Sequence, residues 1–320
     1  MTATGASAPP AAPDYGIDAP GVIRNLVIAA VAGLAVYGTS RAGLWSGALG
    51  PVRISGMGLS VGIGCAFMAC WMLYDSKVGK LKERDRLLDR IPWRGDEAVL
   101  DVGCGRGLLL IGAARRAGSG RATGLDLWQA EDLTGNSPQA TLENARREGV
   151  DSRVTVATGD MRKMPFPDAS FDVVLSNVAI HNVYEAEGRR ATMKEIARVL
   201  KPGGYLVLSV PHLSPIHEAP HDYYRYTQYG LQSLLETRGF DVLELKPVGG
   251  ILAFLGHGAS MLFFSTLGAW RPLRPIAWFL NYVLLVRVLK VLDSLVGLSS
   301  VYPSNHVVLA RRRDGTADTV

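Results

Sequence analysis

The hydrophobic and polar positions of this chain change rhythm three times. From Val22 to Thr39 the residues are apolar apart from Arg24 and Asn25, and Ile54 to Tyr74 is a run of 21 residues without a charge. At a helical rise of 1.5 Å per residue the second run measures about 31 Å, the thickness of a hydrocarbon core. A short Gly-rich connection joins the two runs and carries Trp45 as an interfacial anchor. Beyond residue 80 the pattern becomes short apolar runs separated by helical periodicity, which predicts buried strands alternating with helices, an α/β arrangement. The strands are read at Val99–Val102, Ala122–Leu127, Thr155–Met161, a run ending at Asn177, and Tyr205–Val210.

The third change comes near the C-terminus. Val248 to Trp270 contains no charged residue apart from His257, and its five glycines make it a poor plain helix. After Arg271 and Arg274, positions Ile276, Phe279, Leu280, Val283, Leu284, Val288, Val291 and Leu292 follow helical spacing, with Arg287, Lys290 and Ser294 on the other face. Ser304 to Arg311 then reads as a strand.

Charge gives the apolar runs a direction. Residues 1–21 are Ala, Pro, Thr and Gly-rich and are expected to be a disordered tail, followed by two transmembrane helices within 22–75. Lys77, Lys80, Lys82, Arg84, Arg86, Arg90 and Arg94 follow the second run at once, which predicts a cytosolic face there and a multi-pass protein of the cytoplasmic membrane. A cleaved signal peptide is disfavoured because residues 1–23 lack a basic leading region. Buried helices of a soluble protein are the competing reading. The overall net charge of +5 is modest, and three cysteines imply no disulfide framework.

The chemistry begins at Asp101-Val102-Gly103-Cys104-Gly105-Arg106-Gly107, a strand running through a glycine turn into a Leu/Ala helix. Glycines there let a ligand approach the backbone, and the helix offers unpaired N–H groups. The dinucleotide fingerprint wants a third glycine where Leu108 stands, and an acid at Asp101 suits a cation better than a pyrophosphate. Asp126, followed by Leu127, ends a second strand where a carboxylate can accept from ribose hydroxyls. Asp160 and Met161 end a third strand where an acid can accept from an adenine amino group, and Asn177 ends the fourth.

Taken in order, these motifs resemble the class I S-adenosylmethionine-dependent methyltransferases, in particular the group holding the quinone and sterol C-methyltransferases. The resemblance covers residues 80–247 with a last strand at 305–311. It implies a Rossmann-like seven-stranded sheet, last strand antiparallel, with helices on both faces and S-adenosyl-L-methionine as cofactor. It implies that Asp101, Gly103, Cys104, Gly105, Gly107, Asp126, Leu127, Asp160, Met161 and Asn177 shape the donor pocket. The methyl acceptor is not specified, because the family methylates carbon, oxygen, nitrogen, sulfur and arsenic. On this reading residues 76–247 are the donor-binding domain, 248–304 an insert, and 305–320 the last strand and tail. The insert replaces a short turn between two strands of one sheet, so it cannot cross a bilayer an odd number of times. A hydrophobic lid lying at the membrane is expected, with an extra packing layer or an oligomer interface as the alternative.

The acceptor side falls to two loops holding four of the six histidines. His181 follows the fourth strand, and His212, His217 and His221 follow the fifth, ahead of Tyr223-Tyr224-Arg225-Tyr226. The second loop resembles a pattern in methyltransferases that modify sugars and lipid-linked glycans. His181, His217 or His221 would serve as a base for a hydroxyl acceptor. Tyr223 and Tyr224 would line an acceptor pocket, with Arg225 meeting an anionic group. A metal held by these histidines matches no familiar ligand spacing, so none is expected. The whole pattern predicts a membrane-anchored methyltransferase acting on a lipophilic or lipid-linked small molecule. The alternatives are a non-catalytic donor-binding scaffold at the membrane and a nucleic-acid methyltransferase. Against the latter stand the apolar flanks and Asn177-Val178-Ala179-Ile180 where an Asn-Pro-Pro-Tyr motif would be.

Overall fold

The computed structural model describes residues 12–17, 20–49, 52–129, 135–183, 185–212, 225–252, 292, 295–296 and 303–314. Two apolar helices come first, α1 (Pro20–Arg41) and α2 (Ser55–Tyr74), packed together over most of their length. Glycines let the two backbones approach: a Cβ on Gly33 would lie 2.5 Å from the Gly58 carbonyl oxygen, and one on Gly62 would strike Leu34. Close small-residue packing of this kind is how helices associate without a hydrophobic drive between them. Both helices are long and apolar enough to cross a membrane by length and composition. Helix α2 does not stop at Tyr74. A π-helical turn, Asp75–Gly79, carries it into α3 (Lys80–Leu88), which docks on the catalytic-type sheet below through Leu87 and Leu88.

The sheet has seven strands: β1 (Ala98–Val102), β2 (Arg121–Asp126), β3 (Val154–Thr158), β4 (Phe171–Asn177), β5 (Leu200–Pro211), β6 (Phe240–Val248) and β7 (Asn305–Arg312). Their order is β3-β2-β1-β4-β5-β7-β6, and β7 runs antiparallel to both neighbours. This is the Rossmann-like methyltransferase sheet that the motif order implies. The intervening helices are α4 (Leu108–Arg116), α5 (Pro138–Arg147), α6 (Ala186–Val199) and α7 (Gln228–Glu236). Their starts are written locally. Ser137 accepts from the Ala140 N–H with Pro138 at the first helical position, and Thr227 accepts from the Gly230 N–H.

Strand residues alternate between two cores. Val99, Leu175, Val207 and Val307 pack with Leu110 and Ile111 of α4 and with Leu87 and Leu88 of α3. Leu100, Val174, Leu208 and Val308 pack on the other face with Met193 and Ile196 of α6 and Leu231 of α7. Burial on both faces explains why the strands read as unbroken apolar runs. Strand β5 differs from expectation by starting at Leu200, with Pro202-Gly203-Gly204 forming an irregularity before Tyr205 pairs with Val173.

The N-terminal stretch corrects the expectation of a wholly disordered tail. Tyr15 is buried and donates to Glu148 at 2.5 Å, while the Asp14 backbone N–H donates to Asn144 Oδ1. Specific polar partners hold a segment whose composition alone reads as loose. Apart from Leu292, the predicted amphipathic helix at 276–292 lies outside the described residues, as does nearly all of the 248–304 insert.

Candidate active site

The carboxyl ends of β1, β2, β4 and β5 open into a cleft of about 1150 Å³. Gly103, Gly105, Asp126, Leu127, Asp160, Met161 and Asn177 line it, as the motif reading places them. Open α/β sheets place ligands at this edge, where the strand order reverses between β1 and β4. That volume exceeds the roughly 300–1,000 Å³ that encloses one small ligand, so two reactants have room.

The glycine turn is built to keep its surface bare. Gly103 has φ +73°, and a Cβ there would lie 2.4 Å from the Ala179 Cβ. Gly105 donates its N–H to Asp126 Oδ2 at 2.8 Å, which ties the turn to the tip of β2. Gly107, at φ +86°, caps α4 and faces Thr141 rather than the cleft. Cys104 also turns away. Its side chain is buried against Gly124, so it supports the turn without touching a ligand.

Asp101 corrects an expectation in the same way. Its carboxylate is buried, accepts from the Leu110 N–H at 2.9 Å and does not line the cleft. In a parallel sheet covered on both faces, that side chain lands under the helix start rather than at the rim. Burial pushes it up to about 7, with the charge of Asp126 acting in the same direction. When ionised it would act on a bound cation through a short stretch of low dielectric rather than by contact.

Among the described residues, Asp126 accepts three hydrogen bonds: from Gly105 N–H, from Trp128 N–H at 2.7 Å and from Asn136 Nδ2 at 3.2 Å. A carboxylate has about four acceptor sites, so one remains for a ligand hydroxyl. Beside it, the Asn136 Oδ1 is buried with no partner among the described residues, and Asn136 lines the cleft. An orphaned acceptor next to a carboxylate fits a pair of vicinal hydroxyls, as on ribose. Asp160 is committed differently. Arg162 donates to it from Nε and a terminal nitrogen, at 2.9 and 2.6 Å, and lowers its carboxyl below the usual range. Leu127, 46% exposed, and Met161 offer apolar surface around it.

The acceptor-side residues separate. His181 sits in a short 3₁₀ turn, Ile180–Asn182, that rotates its ring into the protein, and it is 0% exposed. Its neighbours Ala179, Asn182 and Val183 line the cleft; His181 does not. A base at the rim is therefore not what this histidine provides. His217, His221, Tyr223 and Tyr224 lie outside the described residues, and Arg225 is half-buried away from the cleft lining. His212 sets Nδ1 2.9 Å from the Tyr226 carbonyl oxygen, and its ring lies tilted, 5.3 Å from that of His306 on β7. Among the described residues no three metal-ligating side chains converge.

Sequence reasoning missed Asn136, Asn182 and the whole wall supplied by the helix that leaves the hairpin. Asp75, Gly79, Lys80, Lys82, Glu83, Arg86 and Leu87 face the same cleft as the donor-side residues. It also missed the strain at Val178, a β-branched residue at φ +52° held by its N–H to the Ser209 carbonyl.

Comparison with known proteins agrees with this geometry. Residues 100–208 match a family model described as a methyltransferase domain. These residues are therefore similar to methyltransferase domains. The chain is 35% identical over 124 residues to 27-O-demethylrifamycin SV methyltransferase of Amycolatopsis mediterranei, covering 39% of this chain and 42% of that protein. It is 26% identical over 205 residues to the ubiquinone/menaquinone biosynthesis C-methyltransferase UbiE of Dinoroseobacter shibae, covering 55% and 78%. Among solved structures, geranyl diphosphate C-methyltransferase from Streptomyces coelicolor, in complex with S-adenosyl-L-homocysteine, shares 18% identity at a TM-score of 0.48, covering 74% and 81%. The chain spans less than half the length of the first curated relative. The cofactor of this methyltransferase domain is S-adenosylmethionine. Asp126 and Asn136 would hold its ribose, Leu127, Asp160 and Met161 its adenine, and the Gly103–Gly105 backbone its methionine portion.

Proposed function

We propose that the chain is a membrane-anchored methyltransferase that moves the methyl group of S-adenosylmethionine to a lipophilic or lipid-linked small molecule on the cytosolic face. One observation carries this reading: donor-side residues and the helix that continues out of the apolar hairpin line one cleft. The hairpin exposes Val27, Ile28, Val31, Ile63, Phe67 and Trp71, and only 22% of each apolar window is buried in the molecule. A core helix of a soluble protein would be mostly covered. The basic residues after α2 favour the cytosolic side for the domain, where the donor is made.

The bound cofactor supplies an electrophilic methyl group. The chain's own part is to hold the donor along β1 and β2 and to leave the acceptor space beneath α3 and the Asn177–Val183 loop. In-line placement of a nucleophile about 3 Å from the methyl supplies most of what such a transfer needs. The test is incubation of methyl-labelled S-adenosylmethionine with membranes containing the full chain, followed by organic extraction. Protein-dependent label in the lipid-soluble fraction is the expected result. Label confined to nucleic acid or to water-soluble products would overturn the reading.

A further inference from the structure

The helical wall of the cleft says what kind of lipid it meets. Residues Gly79, Lys80, Glu83, Arg86 and Leu87 share one face of the helix that follows the hairpin, with Lys82 flanking them, and all line the cleft. Bases outnumber acids on this wall: Lys80, Lys82 and Arg86 against Asp75 and Glu83. The acids on the donor side are engaged, Asp160 with Arg162 and Asp126 with its three N–H donors. Lys80 is engaged, donating to the Tyr15 and Gly16 carbonyl oxygens at 3.4 and 3.5 Å, whereas Lys82 and Arg86 are held more loosely. Arg86 is 75% exposed and lies 3.5 Å from Glu83, and no carboxylate lies within ion-pair distance of Lys82 among the described residues. Lys82 Nζ instead folds back, 3.3 Å from the Tyr74 hydroxyl and 5.9 Å from its ring centre.

That fold-back fixes a depth. Tyr74 and Trp71, their rings tilted with centres 5.8 Å apart, end the apolar helix where an aromatic belt meets the headgroups. Lys80 and Arg86 lie six and twelve residues further on, about 9 and 18 Å along a helix. The headgroup zone of one leaflet is only about 5–8 Å thick. The cleft therefore stands in and above that zone. A neutral ring at home in hydrocarbon would have to be lifted further to react there than a charged headgroup, which already occupies the zone to which the Lys82 ammonium folds back.

Resting on the membrane methyltransferase reading above, we infer that Lys82 and Arg86 bind the phosphate of a phosphate-bearing membrane lipid on the acceptor side of the cleft. The π-helical turn serves this arrangement. It shifts the register between the membrane-facing and cleft-facing parts of one continuous helix, and such turns recur at binding sites.

The experiment uses the full chain in a non-ionic detergent, saturated with S-adenosylhomocysteine. A short-chain polyprenyl phosphate, the matching prenyl alcohol and inorganic phosphate are titrated separately. Saturable binding of the prenyl phosphate, at least tenfold tighter than the alcohol and than inorganic phosphate, is expected. Lys82→Gln combined with Arg86→Gln should weaken it at least tenfold and leave S-adenosylhomocysteine binding within twofold. The charge-reversed pair Lys82→Glu and Arg86→Glu should abolish it. Equal affinity for the alcohol would assign a neutral lipid and overturn the inference. Equal affinity for inorganic phosphate would remove the lipid from it, and indifference to both double variants would move the site elsewhere. Failure of S-adenosylhomocysteine itself to bind would instead count against the methyltransferase reading.

Discussion

Arg106, in the middle of the glycine turn, donates to Asp14 twice, reaching its carboxylate and its carbonyl oxygen at 2.8 Å each. Asp14 also pairs with Lys77 in the π-helical turn at 2.9 Å. One short segment before α1 therefore joins the donor-binding turn to the base of the hairpin. Asp14→Ala should weaken donor binding about three- to tenfold by calorimetry. Because the Asp14 side chain is 45% exposed, its loss should cost less than about 1 kcal/mol of folding stability. Lys77 and Arg106 hold the Asp14 carboxyl below its usual range. Its contribution is therefore complete above the unfolded pKa and lost as pH falls through the lowered one.

The ribose pair gives a sharper test. Hydrogen bonds to a charged group contribute about 1.5–3 kcal/mol, so Asp126→Ala should reduce S-adenosylhomocysteine affinity roughly ten- to 150-fold. Asn136→Leu should reduce it about tenfold, and 2′-deoxy analogues should narrow the difference between wild type and that variant. An Asn136→Leu protein that binds as tightly as wild type would remove Asn136 from the site.

Gly103 leaves no space for a side chain. Gly103→Ala places a Cβ 2.4 Å from Ala179 at a positive φ, so donor binding should fall at least tenfold. Gly103→Ala combined with Ala179→Gly removes the clash but not the backbone strain, and should recover only part of the loss.

Asp101 should give donor binding a pH signature. Its pKa near 7 means that it gains charge as pH rises through neutrality. The charged carboxylate favours a sulfonium over a neutral thioether. Affinity for S-adenosylmethionine relative to S-adenosylhomocysteine should therefore rise from pH 6 to pH 8, and Asp101→Asn should flatten that ratio. In the folding equilibrium the sign is opposite. A raised carboxyl pKa means the folded state binds the proton more tightly, so stability falls as pH rises from about 4 to 7.

His181, fully buried, should behave as a packing residue. His181→Ala should lower thermal stability while turnover per folded, donor-bound molecule changes less than threefold. A hundredfold loss of turnover in protein of unchanged stability would restore it as a base.

The fold was legible because its strands are covered on both faces and its turns need glycine. Val99 to Val102 followed by Gly103, Gly105 and Gly107 is a local signal that tertiary context does not overrule. Asp126, Asp160, Met161 and Asn177 were legible because strand ends at one edge of such a sheet converge. The direction of a side chain was less so. Asp101 and Cys104 sit in the right turn but point under it, and a single 3₁₀ turn buries His181. Asn136 stands in a Gly-Asn-Ser stretch that reads as an ordinary turn, and its role depends on Asp126 ten residues away. The basic run after Tyr74 read as a topology signal. Only the continuous helix through the π turn shows that the same residues also face the cleft.

The central claim is that the cleft at the β1 and β2 tips holds a sulfonium nucleoside. Isothermal titration of the folded full chain with S-adenosylmethionine tests it most directly. One saturable site per chain, largely lost in Asp126→Ala, is the predicted result. No heat with S-adenosylmethionine or S-adenosylhomocysteine, together with saturable binding of a nicotinamide dinucleotide, would contradict it.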